Sequence, residues 1–221
     1  MVIMSLKGLP IIQVRKTLLK TAQKHVNTIG WVQRAIVLAA EEHQFPVPVA
    51  NRVFKVTDLI EFTMDGWSNQ LREETKGQTF QGDLKEKLTL LVKKRLECEV
   101  PFLPRWHEAM KIGVSTPFNM FMTAYKLLGH MEQIWRLAGD VNKDSAWLSK
   151  QAALLNVFST TELQMLKDSS EGREATWAHL AQALEQHYPT LAGSTPIWSA
   201  PCSVYSVASK VFDVQAFVPP R

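Results

Sequence analysis

His107-Glu108 is the one place where this chain begins to spell a zinc-hydrolase motif, and it does not finish. HExxH chemistry needs a second imidazole one helical turn on, but the chain continues Ala109-Met110-Lys111. None of the six histidines has a Glu three residues ahead of it. The Glu-x-x-His pairs that hold two irons inside a helical bundle are therefore not encoded. Cys98 and Cys202 stand far apart and form no CxxC, so neither a zinc site nor a redox dithiol is suggested. There is no GxSxG, no phosphate loop and no GxGxxG. Catalysis needs a positioned nucleophile, base or metal. With none assembled by motif, these residues point to a non-catalytic binding or structural protein with no metal or cofactor.

The elements that carry these residues read as helices throughout. Ile12, Leu18, Leu19, Ala22, Val26 and Ile29 recur at three-to-four spacing, and Gly30 offers a stop. Val32, Ala35, Ile36, Ala39 and Ala40 mark a second, short helix. Beyond Pro46 and Pro48, a third short piece holds Val49, Val53 and Phe54. Thr57 or Asp58 is placed to cap a helix bearing Leu59, Ile60, Met64, Trp67 and Leu71. Asp83 with Glu86 forms a capping box for the helix of Leu84, Leu88, Leu91, Val92 and Leu96. A short helix follows around Trp106. Ser115-Thr116-Pro117 is a start signal, with a hydroxyl cap and Pro in the first turn. The helix after it carries Phe118, Phe121, Met122, Tyr125, Leu128, Ile134 and Leu137, and ends at Gly139.

Asp144 is expected to cap a long helix through Leu166. The next helix is expected over 171–187, with a proline-containing linker from 189 to 201. A last amphipathic helix is expected after Pro201, with Val204, Val207, Ala208, Val211 and Phe212 on one side. No strand alternation competes, and the fold class is all-α.

The chain has 221 residues, enough for one substantial helical domain or two small ones. It is 46% hydrophobic and 21% charged, an ordinary globular balance. No apolar run reaches the roughly 18–20 residues of a membrane-spanning helix. Charge is unevenly placed. Lys7, Arg15, Lys16, Lys20, Lys24 and Arg34 all precede the first acidic residue, Glu41. A basic end of this kind fits a solvated helix face, a mitochondrial presequence or attraction to an anionic surface.

Residues 160–177, TTELQMLKDSSEGREATW, are the most distinctive wording in the chain. Met165, Leu166 and Trp177 flank a polar helix junction at Lys167-Asp168-Ser169-Ser170. Ala138-Gly139-Asp140 after Trp135, Trp147, and the run from Ala152-Ala153 to Thr160-Thr161-Glu162-Leu163 continue the pattern. Pro101-Phe102-Leu103 with Trp106 and Ala109, and Gly30-Trp31, extend it upstream. Together, over about residues 15–185, this wording resembles the coenzyme Q (ubiquinone) biosynthesis protein nine family.

That resemblance implies a tetracycline-repressor-like fold: a helix-turn-helix-like head at 13–55 and a helical lipid-binding and dimerising body at 56–188. Residues 1–12 would be an N-terminal extension, and 189–221 a linker and short amphipathic tail. It implies an accessory role at the matrix side of the mitochondrial inner membrane, peripheral to the bilayer. There the protein would present isoprenoid quinone precursors to the di-iron demethoxyubiquinone hydroxylase, as a monomer or homodimer. A bound isoprenoid or phospholipid is expected. Candidate lipid contacts are Phe118, Phe121, Met122, Tyr125, Leu154, Leu155 and Phe158, large side chains that would equally serve as core. The partner-docking residues carried over are Met165, Leu166, Asp168 and Trp177. Asp168, Ser169 or Ser170 would equally cap the following helix.

Two rival functions are read against the same residues. In a repressor-like head the recognition segment would be residues 45–52, with one Arg, one Asn and two prolines. Reading DNA needs several basic or amide side chains on one helix face, so no nucleic-acid partner is expected. The alternative is a structural subunit of a mitochondrial inner-membrane respiratory assembly. A tail rich in Val and Ser, with Lys210 its only basic residue before Arg221, encourages it.

Overall fold

Each apolar run with a three-to-four period is a helix in the computed structural model, which describes residues 9–194 apart from 79 and 142. Among these residues there are nine α-helices, two 3-10 turns and no strand. The helices are α1 (Ile11–Ile29), α2 (Gln33–Glu42), α3 (Val47–Val53), α4 (Val56–Glu74), α5 (Leu84–Glu97), α6 (Leu103–Gly113), α7 (Pro117–Ala138), α8 (Trp147–Lys167) and α9 (Glu174–Leu191). The all-α expectation holds, and a long α1 followed by the two short helices α2 and α3, ahead of six further helices, is consistent with a repressor-like layout. The expected tail helix, residues 1–8 of the expected N-terminal extension and Cys202 lie outside the described residues. No helix among the described residues is long and apolar enough to cross a membrane.

Two hydrophobic clusters hold the molecule. In the first, Leu18, Leu19, Ala22 and Val26 of α1 pack on Ala35, Ile36 and Ala39 of α2 and on Ala50 of α3. Leu59, Met64 and Trp67 of α4 and Trp106 and Ala109 of α6 complete it. The head at 13–55 thus shares its core with α4 and α6. The second cluster joins Leu71 of α4, Leu91 and Leu96 of α5, Met131 and Trp135 of α7, Leu154 to Phe158 of α8, and Leu180 and Leu184 of α9. Helix α4 contributes to both clusters. Helix α8 runs through the middle of the body, with 14 of its 21 residues buried. A helix buried on nearly all sides must bring its polar side chains inside too.

Local chemistry explains several helix ends. The Asp83 carboxylate accepts from Glu86 N at 2.8 Å, while Glu86 accepts from Asp83 N at 3.1 Å, the expected capping box. Thr116 Oγ1 accepts from Asn119 N at 3.1 Å, with Pro117 in the first turn. Gly139 ends α7 at φ 93°, a left-handed conformation that glycine adopts without steric cost.

The start of α4 differs from expectation. The cap position is Lys55, and neither Thr57 nor Asp58 occupies it. Asp58 reaches back from inside the first turn to accept from Lys55 N at 2.8 Å, and Arg15 of α1 donates to it at 3.0 Å. The end of α9 differs as well. The helix continues past His187 and through Pro189 to Leu191. Proline forfeits one helical hydrogen bond, but the fully buried Leu191 anchors the last turn in the second cluster.

His107-Glu108, the unfinished zinc motif, turns out to tie α6 to the end of α1. Glu108 accepts from Trp31 N at 3.0 Å and from Arg105 Nε at 2.9 Å. Arg105 Nη1 donates to Thr28 O at 3.1 Å, where the α1 carbonyls run out of partners. Gly30, at φ 91°, is needed here, because a Cβ would overlap the Glu108 carboxylate.

Candidate functional site

Helices α4, α6 and α7 leave a two-lobed pocket between them. The outer lobe, about 90 Å³, is lined by Thr57, Ile60, Glu61 and Met64 of α4, Gly113 of α6, and Phe118, Asn119, Met122, Thr123 and Lys126 of α7. The inner lobe, about 50 Å³, shares Ile60, Met64, Gly113 and Thr123 with it. Its remaining wall is Trp106, Ala109, Met110, Val114 and Leu127, with Ser159 and Glu162 of α8 as its polar members. At the mouth, Lys126 Nζ is held 3.1 Å from Asp65 of α4.

The pocket opens between α4, α6 and α7 and reaches α8 only in its inner lobe. Of the seven candidate lipid contacts, only Phe118 and Met122 line the pocket. Phe118, Phe121 and Tyr125 form an outward stripe on α7, each about two-thirds or more exposed at 71%, 67% and 69%. Leu154, Leu155 and Phe158 are buried in the second cluster. The reason is rotation about the helix axis. Positions 118, 121 and 125 share one face, and 122 is turned toward α4. On α8 the pocket meets Ser159 and Glu162 instead. Sequence reading missed Met64, Met110, Ser159 and Glu162. The signal for the last two was present: polar residues one turn apart within the apolar run that ends at Met165.

Beneath the inner lobe lies a buried ionic cluster. Arg95 and Glu99 of the α5 end are each 1% exposed, with Arg95 Nη1 donating to Glu99 Oε1 at 2.7 Å. The guanidinium stacks over the rings of Trp67 and Phe158 at 5.0 and 5.5 Å. Trp106 Nε1 donates to Glu162 Oε1 at 2.8 Å. Burial, and then the charge of the neighbouring Glu162, push the Glu99 carboxyl well above the ordinary range. Burial also raises Glu162, though Trp106 and Glu99 oppose it by hydrogen bonding. The Arg95 guanidinium favours the charged form of both carboxyls against their burial.

A second feature is the corner between α8 and α9. The four candidate docking residues part company there. Asp168 and Trp177 line an open groove of about 450 Å³ together with Glu97, Val100, Ser169, Ser170, Gly172 and Arg173. Met165 is 1% exposed and turned into the second cluster, and Leu166 is half-buried against both clusters. Asp168 is the organiser of the turn. Its Oδ1 accepts from Ser170 N and Oγ at 2.8 and 2.6 Å, and its Oδ2 accepts from Thr176 N and Oγ1 at 2.7 and 2.6 Å. The hydrogen bonds from Ser170 and then Thr176 hold its carboxyl far below the usual carboxylate range. Gly172 and Arg173 turn the chain with φ of 64° and 59°. Trp177 Nε1 closes the turn on Gly172 O at 2.9 Å, and Lys93 lies over its ring at 4.9 Å.

Among the described residues no three His, Cys, Asp or Glu side chains converge as a metal site requires. His130 is buried, and that burial holds its pKa below the ordinary histidine value.

Nine helices packed on two shared cores, with a small pocket among α4, α6, α7 and α8 and an open groove where α8 meets α9, make this an all-helical protein among the described residues. Comparison with known proteins narrows the class. Residues 121–188, from the second turn of α7 nearly to the end of α9, match the COQ9 family model. The chain is 27% identical to the probable ubiquinone biosynthesis protein coq9, mitochondrial, of Dictyostelium discoideum over 189 residues, 81% of this chain and 61% of the relative. It is 28% identical over 179 residues to the mitochondrial ubiquinone biosynthesis protein COQ9 of Drosophila melanogaster, covering 78% and 55% of the two chains. Against the Homo sapiens protein of the same name it is 27% identical over 177 residues, covering 76% and 55%. The chain thus spans somewhat over half the length of these relatives. Its resemblance to the ubiquinone biosynthesis protein nine family is real and reaches well beyond the single segment 160–177.

Proposed function

We propose that this chain is a non-catalytic accessory protein of mitochondrial ubiquinone biosynthesis. In this reading it binds an isoprenoid quinone precursor between α4, α6 and α7 and presents it to the di-iron demethoxyubiquinone hydroxylase. The observation that carries the reading is the pocket itself: apolar walls, two flexible thioethers from Met64 and Met122, and a mouth framed by Phe118. Its size sets a limit. An apolar cavity of roughly 150 Å³ holds one benzene, so the two lobes admit a ring and no long tail. The tail would run outward along the Phe118, Phe121 and Tyr125 stripe, toward a membrane surface on the matrix side of the inner membrane. The groove at Asp168 and Trp177 would receive the hydroxylase. Mass spectrometry of lipid extracted from the purified protein tests the central point. Recovery of an isoprenoid supports it, and repeated absence across preparations counts against it.

One observation favours a second reading. Three adjacent exposed aromatics are unusual on a free surface. They would suit a fixed subunit of an inner-membrane respiratory assembly, buried against a neighbour. Stable co-purification with such a complex separates that role from a transient accessory one.

A further inference from the structure

Ser159 and Glu162 lie one turn apart on α8, and both line the inner lobe. Ser159 is 3% and Glu162 6% exposed. A buried hydroxyl in a helix ordinarily bonds the carbonyl four residues back. Thr160 does so to Asn156 O at 2.8 Å and Thr161 to Val157 O at 2.7 Å. Ser159 does not, and its Oγ has no hydrogen-bond partner among the described residues. Buried polar atoms are nearly always paired, so a lone hydroxyl on a cavity wall is a site waiting for a polar atom. Beside it, the Glu162 carboxylate is hydrogen-bonded to Trp106 and Glu99, which leaves acceptor capacity to spare, since a carboxylate has about four lone-pair sites. The opposing wall is apolar and soft, with Met64, Met110 and Leu127.

We infer that the two-lobed pocket takes the ring of a phenolic ligand with its hydroxyl in the inner lobe, where the O–H donates to the Glu162 carboxylate and the oxygen accepts from Ser159 Oγ. This rests on the pocket being the ligand site. The chemistry also chooses between oxidation states. A carboxylate accepts and cannot donate. A quinone carbonyl would meet the Glu162 oxygen with no proton between them, whereas a phenol or hydroquinone supplies one. Burial opposes the charge on Glu162, but the hydrogen bonds with Trp106 and Glu99 and the nearby Arg95 guanidinium favour the carboxylate form that makes this distinction. The thioethers of Met64 and Met110 are suited to an aromatic ring lying between them.

The test is calorimetric titration of the whole chain with three small ligands of matched shape: 4-propylphenol, propylbenzene and propyl-1,4-benzoquinone. The phenol is expected to bind about tenfold tighter than either of the others, the worth of one charge-assisted hydrogen bond. Ser159→Ala should weaken the phenol about three- to tenfold and leave propylbenzene nearly unchanged. Glu162→Gln brings an amide that can donate, and should shift the preference toward the quinone. Met110→Trp fills the lobe and should abolish phenol binding. Equal affinity for phenol and propylbenzene in the natural chain would overturn the inference and leave the pocket reading standing. Phenol binding that survives Met110→Trp would also overturn it, by placing the ligand elsewhere. If none of the three binds, the pocket reading falls and this one with it.

Discussion

Trp106 of α6 and Glu162 of α8 are joined by a 2.8 Å hydrogen bond from the indole N–H to the carboxylate. Few of the contacts here span so much of the body's centre. The bond closes the floor of the pocket, fixes the carboxylate that faces it, and links the pocket to the buried Arg95–Glu99 pair.

That pair should respond unequally to removal of its two members. Arg95→Leu strands a carboxylate in the core and is expected to cost about 3–5 kcal/mol in urea unfolding. Glu99→Gln keeps the side-chain shape and leaves an amide oxygen to accept from Arg95, and should cost under about 1.5 kcal/mol. The pH dependence follows from the raised Glu99 value. Its stabilising contribution is complete below the ordinary Glu value, about 4.3, and declines as pH climbs toward the folded value. Glu99→Gln should therefore flatten the decline in stability toward alkaline pH.

Asp168 has the opposite sign. Its folded carboxyl is held low by Ser170 and Thr176. Its contribution is complete above the unfolded value, about 3.9, and is lost as pH falls from there toward the folded value. Asp168→Asn should lower Tm at pH 7 and show a shallower loss below pH 4 than the natural chain. Parallel acid limbs for the two proteins would argue that the turn does not depend on the charge.

Trp177 is half-buried, with its N–H engaged in the turn and its ring against the second cluster. Trp177→Ala should cost about 1–2 kcal/mol, short of the roughly 3–5 typical of a fully buried aromatic. If the groove receives the hydroxylase, the same change should weaken that complex tenfold or more, as loss of an interfacial Trp anchor does. A collapse of Tm with no specific binding loss would assign Trp177 to the core alone.

The α7 stripe separates function from stability. Phe118→Ser with Phe121→Ser alters side chains that are 71% and 67% exposed. Tm should move by only a degree or two, since exposed positions change stability by about 0.5 kcal/mol each. Lipid recovered with the purified protein, or binding to anionic vesicles, should fall clearly. Unchanged lipid recovery would detach the stripe from ligand handling.

Helix identity was legible because its signals are local. The Asp83–Glu86 box, Thr116-Pro117 and Gly139 act within one turn of themselves, and each behaves as its sequence suggests. The start of α4 was less legible, because Arg15 of α1 helps decide what Asp58 does. The end of α9 was hidden for a similar reason: burial of Leu191 outweighs the proline two residues before it. The spacing of Arg95 and Glu99, four apart at the end of α5, carries no sign of burial, and only the packing of α4 and α8 around them makes the pair interior.

The residues alone determined an all-helical chain, the absence of catalytic and metal motifs, and the family resemblance written through 131–180. Tertiary structure decided which face of each helix meets a cavity. It sent Leu154, Leu155 and Phe158 into the core, turned Phe118, Phe121 and Tyr125 outward, and set Ser159 and Glu162 at the pocket floor. Periodicity gives the angle between side chains on one helix. The absolute rotation of that helix is set by neighbours distant in sequence, and no local pattern carries it.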